Sequence, residues 1–243
     1  MNNWDHWNEM VLKENRIPTN KKNARKKSIE KPTHIIIHIT GDDNFEAVKN
    51  TFLNSVSSHY LIDKKGKIYQ FVKDIDRAWH AGIRRGQRQL YRKTNLQWMN
   101  YIAYFHWYKG YPANAVYVDE DLNNVWDTSE ASFVKKPDTS NWAHYDYFKE
   151  RWPNRTFPIN FEVDSDPNNY SIGIECLSLG AKKPNSQVYT EQMYDSLNHL
   201  IDNLCEKYMI PRSREFIVGH EDVNPVARFG WDPNSGFEWD RLT

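Results

Sequence analysis

Residues 31–40 read KPTHIIIHIT, an apolar run carrying two imidazoles four residues apart. Side chains alternate across a strand, so His34, Ile36 and His38 share one face and Ile35, Ile37 and Ile39 the other. The second face can meet a core, and the first presents histidines where a ligand or metal could sit. The spacing next predicts a helix over 44–54, with Phe45, Val48, Phe52 and Leu53 on its apolar side. Residues 59–62 and 67–72 read as two strands joined by the turn Asp63-Lys64-Lys65-Gly66. Trp79-His80-Ala81-Gly82 falls in a loop. Regular alternation returns in NNYSIGIECLSLG, residues 168–180, with Ile172, Ile174 and Cys176 on one face and Gly173 and Glu175 on the other. Thr190 is a good N-cap for a helix whose stripe is Tyr194, Leu197, Leu200, Ile201, Leu204 and Tyr208, ending near Pro211. A short strand over 215–218 leads into Gly219-His220. Strands and helices alternate in a mixed order, which predicts an α/β fold with a mixed central sheet flanked by helices.

Two segments break this rhythm. Residues 1–32 read as an N-terminal arm with a basic cluster, KKNARKK at 21–27, either a solvated linker or a contact for an acidic polymer. Residues 84–169 hold 18 of the 35 aromatics with polar and Pro-containing stretches between them. They read as a large aromatic-rich insertion beside the main sheet, its rings forming a core or, alternatively, platforms for sugars. The main domain is then 33–243, interrupted at about 84–169.

Composition narrows the partners. The chain of 243 residues carries 32 basic and 32 acidic side chains, a formal net charge of zero. Nothing in that balance draws it toward nucleic acid or an anionic membrane. Mean hydropathy is −0.84, and no apolar run approaches the ~20 residues of a membrane helix. The first residues lack the apolar stretch of a secretory signal. Only Cys176 and Cys205 are present, too few for a disulfide framework or a CxxC metal motif, and two reduced, buried thiols are expected.

Three strand ends offer polar groups: His38, Glu175 and His220. Asp232 follows in RFGWDPNSGFEWD. Two imidazoles and a carboxylate suit a catalytic Zn²⁺ with its fourth position left for water. Such an ion lowers the pKa of that water and polarises a carbonyl. Glu175, acidic on an otherwise apolar strand, suits a general base. The competing reading of each strand histidine is an imidazole satisfied by water or backbone, since no two of these residues share a short motif such as HExxH.

The stretches IIIHIT, SSHYLIDKKGKIYQFV, DRAWHAG, NNYSIGIE, and VGHEDVNP with its later WDP run in one order across about half of the chain. In that order the sequence resembles the zinc-dependent N-acetylmuramoyl-L-alanine amidases of the type-2 amidase family, related to peptidoglycan-recognition proteins. The resemblance implies zinc ligands at His38, His220 and Asp232, with His34 a neighbour and not a ligand. It implies Glu175 as general base. The family often places a Lys after the second His; the nearest match here is Arg228, an oxyanion donor that stays charged and transfers protons poorly. Trp79 and His80 are implied as groove-lining residues, with Tyr60 and Asn169 as further substrate-binding candidates.

The implied reaction is hydrolysis of the amide between N-acetylmuramic acid and L-alanine, in peptidoglycan or its fragments, for lysis or turnover of the cell wall. Two other readings stand beside it: a binding module of the same fold that does not cut, and a zinc hydrolase of another amide. Retention of all three ligand types and Glu175 favours the enzyme. The substrate partner is peptidoglycan or a muropeptide. The expected place of synthesis is the cytoplasm, with delivery to the periplasm or wall by a phage-lysin or secreted-effector route as one expectation and fragment recycling as another. An immunity protein or delivery machinery belongs to the former, as does a Cys176–Cys205 bridge.

Overall fold

The computed structural model describes residues 7–25, 29, 31–81, 167–179, 189–214, 216–223, 228, 232–233 and 236–242. The chain divides into two units: Met1–Ala81, Asn168–Asp222 and Gly230–Thr243 form the first, and Gly82–Pro167 with Val223–Phe229 the second. The expected insertion over 84–169 falls almost wholly on the second unit and, apart from 167–169, lies outside the described residues.

Along the described chain the strands and α-helices run β1 (Lys22–Ala24), β2 (His34–Ile39), α1 (Phe45–Asn54), β3 (Tyr60–Ile62), β4 (Ile68–Gln70), β5 (Asp76–Ala78), α2 (Pro167–Tyr170), β6 (Ser171–Cys176), α3 (Glu191–Tyr208), β7 (Ile217–Gly219) and α4 (His220–Val223). A five-stranded sheet has the order β4-β3-β6-β2-β7. Strand β2 is an interior strand between β6 and β7, parallel to both, and β3 is parallel to β6; only β4 runs antiparallel. Central parallel strands are covered on both faces and read as near-continuous apolar runs. All six residues of β2 are buried accordingly, its two histidines included.

The two faces divide the work. Ile35, Ile37, Ile39, Tyr60, Ile62, Ile172, Ile174, Cys176 and Ile217 pack with the stripe of α3, where Leu197, Leu200, Ile201 and Leu204 are wholly buried. The Thr190 hydroxyl accepts from the Met193 N–H and caps α3 as its sequence predicts. A second cluster joins Val48 and Phe52 of α1 to Leu61, Phe71, Val72 and Ala78. Asn44 caps α1 through the Ala47 N–H. The 63–66 turn is present, with Gly66 at φ +77°. A Cβ there would also lie 2.5 Å from the Gln192 carbonyl oxygen, so glycine is required both for the turn and for its approach to α3.

The arm expected over 1–32 is not a free linker where it is described. Residues 7–24 fold onto the first unit. Ile17 and Thr19 donate their N–H groups to the carbonyls of Gln70 and Phe71, and β1 pairs antiparallel with β5. Val11, Asn8, Asn15 and Thr19 are buried. Arg25, from the basic cluster, donates to the carbonyls of Asp74, Asn168, Asn169 and Ser171 at 2.7–3.1 Å. Its charge serves the fold: unpaired backbone carbonyls are costly, and a planar fork of donors reaches several at once. Both cysteines are free and buried, and burial pushes the Cys176 thiol well up from its ordinary value. Among the described residues no helix is long and apolar enough to cross a membrane.

Candidate metal centre

The register of the sheet assembles the site. β2, β6 and β7 are parallel, so their C-terminal ends lie together. His38 pairs in register with Glu175, and His220 follows directly on Gly219 at the end of β7. In-register neighbours project to the same face, which puts His38 and Glu175 on the face away from α3. Asp232 arrives from the C-terminal segment. Its Oδ1 accepts from the Ile39 N–H at 3.0 Å, and its carbonyl accepts from the Glu221 N–H at 2.7 Å. Those two bonds tie it to the end of β2 and the start of α4. Gly219 makes room for this crossing, because a Cβ there would stand 2.7 Å from Pro233 Cδ. The buried Asp222 carboxylate accepts from the Gly219 N–H at 2.6 Å and from Arg214 at 2.8 Å, which fixes the turn presenting His220.

The outcome is a compact donor set. His220 Nδ1 lies 2.8 Å from Asp232 Oδ2, and His38 Nδ1 lies 3.6 Å from Asp232 Oδ1. One ligand atom from each of the three residues lies within 4.8 Å of the other two, and all three residues are buried. The imidazole rings of His38 and His220 are 4.6 Å apart at an interplanar angle of 71°. Burial by itself raises the Asp232 carboxyl, but the facing imidazoles of His220 and His38 prevail and hold it below its ordinary value. A buried anion flanked by two imidazoles is a nitrogen–oxygen set of the kind that binds Zn²⁺. The donor chemistry and its compactness therefore fit the ion that the sequence suggests.

The remaining candidates are placed unequally. Glu175 is half-buried on β6 beside His38. His34 shares the face of His38 but lies outside the donor set; its Nδ1 is 2.9 Å from the Thr33 hydroxyl and its ring packs on Phe216. His80 reaches the site, with Nδ1 2.9 Å from His38 Nε2 and Nε2 3.3 Å from Ser171 Oγ. The Trp79 indole N–H donates to Asn23 at 2.7 Å, so the ring is anchored to β1. Arg228 is half-buried and belongs to the second unit.

Two further candidates are fully buried. Tyr60 is fully buried on the α3 face, where its hydroxyl donates to Asp74 and accepts from Asn8 and Gln70. Strand alternation sends it away from His38, into a polar cluster that Tyr208 and Lys207 complete around Asp74. Asn169 is 1% exposed and precedes β6, at the end opposite Glu175. Asn169 itself belongs to α2, and the strand from Ser171 to Glu175 spans about 13 Å.

Sequence reading missed three supports of the site: Gly173, Asp222 and the link from His80 to His38. WHAG drew attention to His80, but its hydrogen-bond partner is set by sheet register and not by any short spacing.

The sequence profile described as N-acetylmuramoyl-L-alanine amidase matches residues 28–235. Among solved structures, a selenomethionine derivative of AmpD aligns with TM-score 0.52 and 18% identity, covering 97% of this chain and 94% of that one. AmiD from E. coli, solved with the substrate anhydro-N-acetylmuramic acid-L-Ala-D-gamma-Glu-L-Lys, aligns with TM-score 0.44 and 20% identity over 90% of this chain and 59% of that one. The amidase LysC from Clostridium intestinale aligns with TM-score 0.43 and 16% identity over 93% of each chain. The AmpD likeness supports the fold. No curated protein matches the sequence.

Proposed function

This chain belongs to the N-acetylmuramoyl-L-alanine amidase family, and from that premise we propose that His38, His220 and Asp232 hold a zinc ion with which the enzyme hydrolyses the muramoyl–L-alanine amide of peptidoglycan or its soluble fragments. The observation that carries the metal assignment is the meeting of three donors from β2, α4 and the C-terminal segment within 4.8 Å. When bound, zinc would supply an acidified water and a polarised amide carbonyl.

The chain's own residues do the rest. Glu175, opposite His38 in the sheet, takes the proton of the attacking water and returns it to the leaving amine of L-alanine. Arg228 is carried over from the family resemblance as the candidate oxyanion donor. Such a donor is worth about 2.7–4 kcal/mol in other hydrolases. Trp79, held by Asn23, offers an aromatic edge for the muramoyl group. Release as a phage lysin or delivery as a secreted effector is the setting we propose for cutting intact wall, with an immunity partner in the effector case. A cytoplasmic enzyme would instead meet soluble fragments.

The test pairs metal content with product chemistry. Purified protein, reconstituted with zinc and incubated with muropeptides, is expected to release peptides that begin with L-alanine. Glu175→Gln is expected to retain one zinc per chain and to lose at least 100-fold in turnover, within the range assigned to general acid–base catalysis. Full activity in that variant would remove Glu175 from its role. Tight muropeptide binding by the zinc-loaded wild type without cleavage would favour a recognition module.

A further inference from the structure

We propose that His80 is a positioning residue for the metal centre: it accepts a hydrogen bond from His38 and so fixes which ring nitrogen of His38 faces the ion. The inference rests on the reading of His38, His220 and Asp232 as ligands.

Three observations carry it. First, His38 Nδ1 is the nitrogen directed at Asp232, 3.6 Å from Oδ1, while Nε2 is 2.9 Å from His80 Nδ1. A neutral imidazole carries one proton. If Nδ1 is to ligate, the proton must sit on Nε2, and an acceptor there favours that tautomer. Second, His80 is itself oriented. With Nδ1 accepting, its own proton lies on Nε2, which is 3.3 Å from Ser171 Oγ on β6. The relay Ser171–His80–His38 thus has a consistent direction. Third, the backbone is shaped around this ring. A Cβ at Gly173 would stand 2.5 Å from His80 Nδ1 and 2.8 Å from Ser58 Oγ, so only glycine leaves the imidazole its seat over β6. The His38 and His80 rings meet edge to face, with centroids 5.1 Å apart at 85°. Outer partners of ligating histidines commonly fix the tautomer and raise ligand basicity, and their loss costs about 10–100-fold in metal affinity. Nothing in the amide chemistry requires His80 to touch substrate, which separates this role from the groove-lining one expected from sequence.

The experiment compares His80→Leu with His80→Asn in the full chain, reading zinc affinity by competition with a chromophoric chelator and ligand geometry by the visible spectrum of the Co²⁺-substituted protein. Leu and Asn have nearly the same shape, but only Asn can place an acceptor near the position of Nδ1. Leu is expected to weaken zinc binding by about 10-fold or more and to alter the cobalt bands. Asn is expected to recover most of the affinity and the wild-type spectrum. Zinc affinity in His80→Leu equal to wild type, or equal losses in both variants, would overturn the proposal. Should His80→Leu not fold, as judged by circular dichroism, Gly173→Ala keeps the question open to refutation. Its methyl group displaces the His80 ring and is expected to weaken zinc binding similarly; unchanged affinity there refutes the positioning role. A wild-type chain that binds no zinc would sink the ligand assignment itself, a result distinct from the others.

Discussion

At the scale of single residues, burial sets the protonation states on which the site depends. His59 is fully buried; it accepts from the Gly173 N–H through Nδ1 and lies 3.1 Å from the Asp76 carbonyl through Nε2. Burial first, and the neighbouring Arg25 guanidinium second, hold its pKa well below the ordinary imidazole value. The folded state therefore keeps His59 neutral, while the unfolded chain takes up a proton below about pH 6.5. Stability contributed in this way is complete above that pH and falls as acid is added, by at most ~1.36 kcal/mol per pH unit for this group. Urea unfolding at pH 7.5 and 5.5 is expected to show a smaller acid loss in His59→Gln than in wild type. Equal losses would show that His59 is not held neutral. Arg25 illustrates the opposite economy. Burial lowers it to about 10, so it remains charged near neutrality and serves four carbonyls. Arg25→Met strands those acceptors and is expected to cost about 3 kcal/mol in urea unfolding, given ~1.5–3 kcal/mol for a hydrogen bond to a charged group. Arg25→Lys is expected to recover little, because an ammonium cannot span the same fork.

At the scale of elements, the sequence pattern and the structure agree most closely where periodicity is strong. α3 follows its stripe from Thr190 to Tyr208 and then stops at Met209, which adopts φ 55°, ψ 41° and returns its N–H toward the carbonyls of Cys205 and Glu206. This left-handed cap suits glycine, yet a 76%-exposed methionine occupies it. Met209→Gly is expected to stabilise the protein by about 0.5–1 kcal/mol, seen as a raised thermal midpoint. A lowered midpoint would show that the methionine side chain contributes packing that outweighs its backbone strain. The short final strand was harder to read: expected over 215–218, it occupies Ile217–Gly219. A three-residue strand carries too little alternation to fix its own register, and pairing with β2 decides it. The orientation of Tyr60 toward α3 was illegible for a similar reason. Its place one residue after His59 was visible, but which face of β3 turns to α3 depends on the partners of that strand.

At the scale of the whole molecule, residues distant in sequence complete one another. The N-terminal residues cover the polar cluster of Tyr60, Gln70 and Asp74: Asn8 bonds to Tyr60, Gln70 and Asn203, and Thr19 donates to the Phe52 carbonyl. Deleting residues 1–25 uncovers that cluster and removes Arg25 as well. The thermal midpoint is expected to fall by about 10 °C or more, since each kcal/mol moves a chain of this size by roughly 2–4 °C. A truncated chain with an unchanged midpoint would show the arm to be ornamental.

The sequence by itself determined the alternating faces of β2 and β6, the capped stripe of α3, and the chemical types at His38, Glu175, His220 and Asp232. Each of these follows from local periodicity or from side-chain chemistry, which need no knowledge of distant neighbours. Only the tertiary structure decided that Asp232 meets His38 across nearly the length of the chain, that His80 turns its Nδ1 to His38 above Gly173, and that the basic arm folds inward. Those outcomes depend on strand order and register, and a parallel sheet assembled from separated segments leaves no short spacing in the chain to announce them.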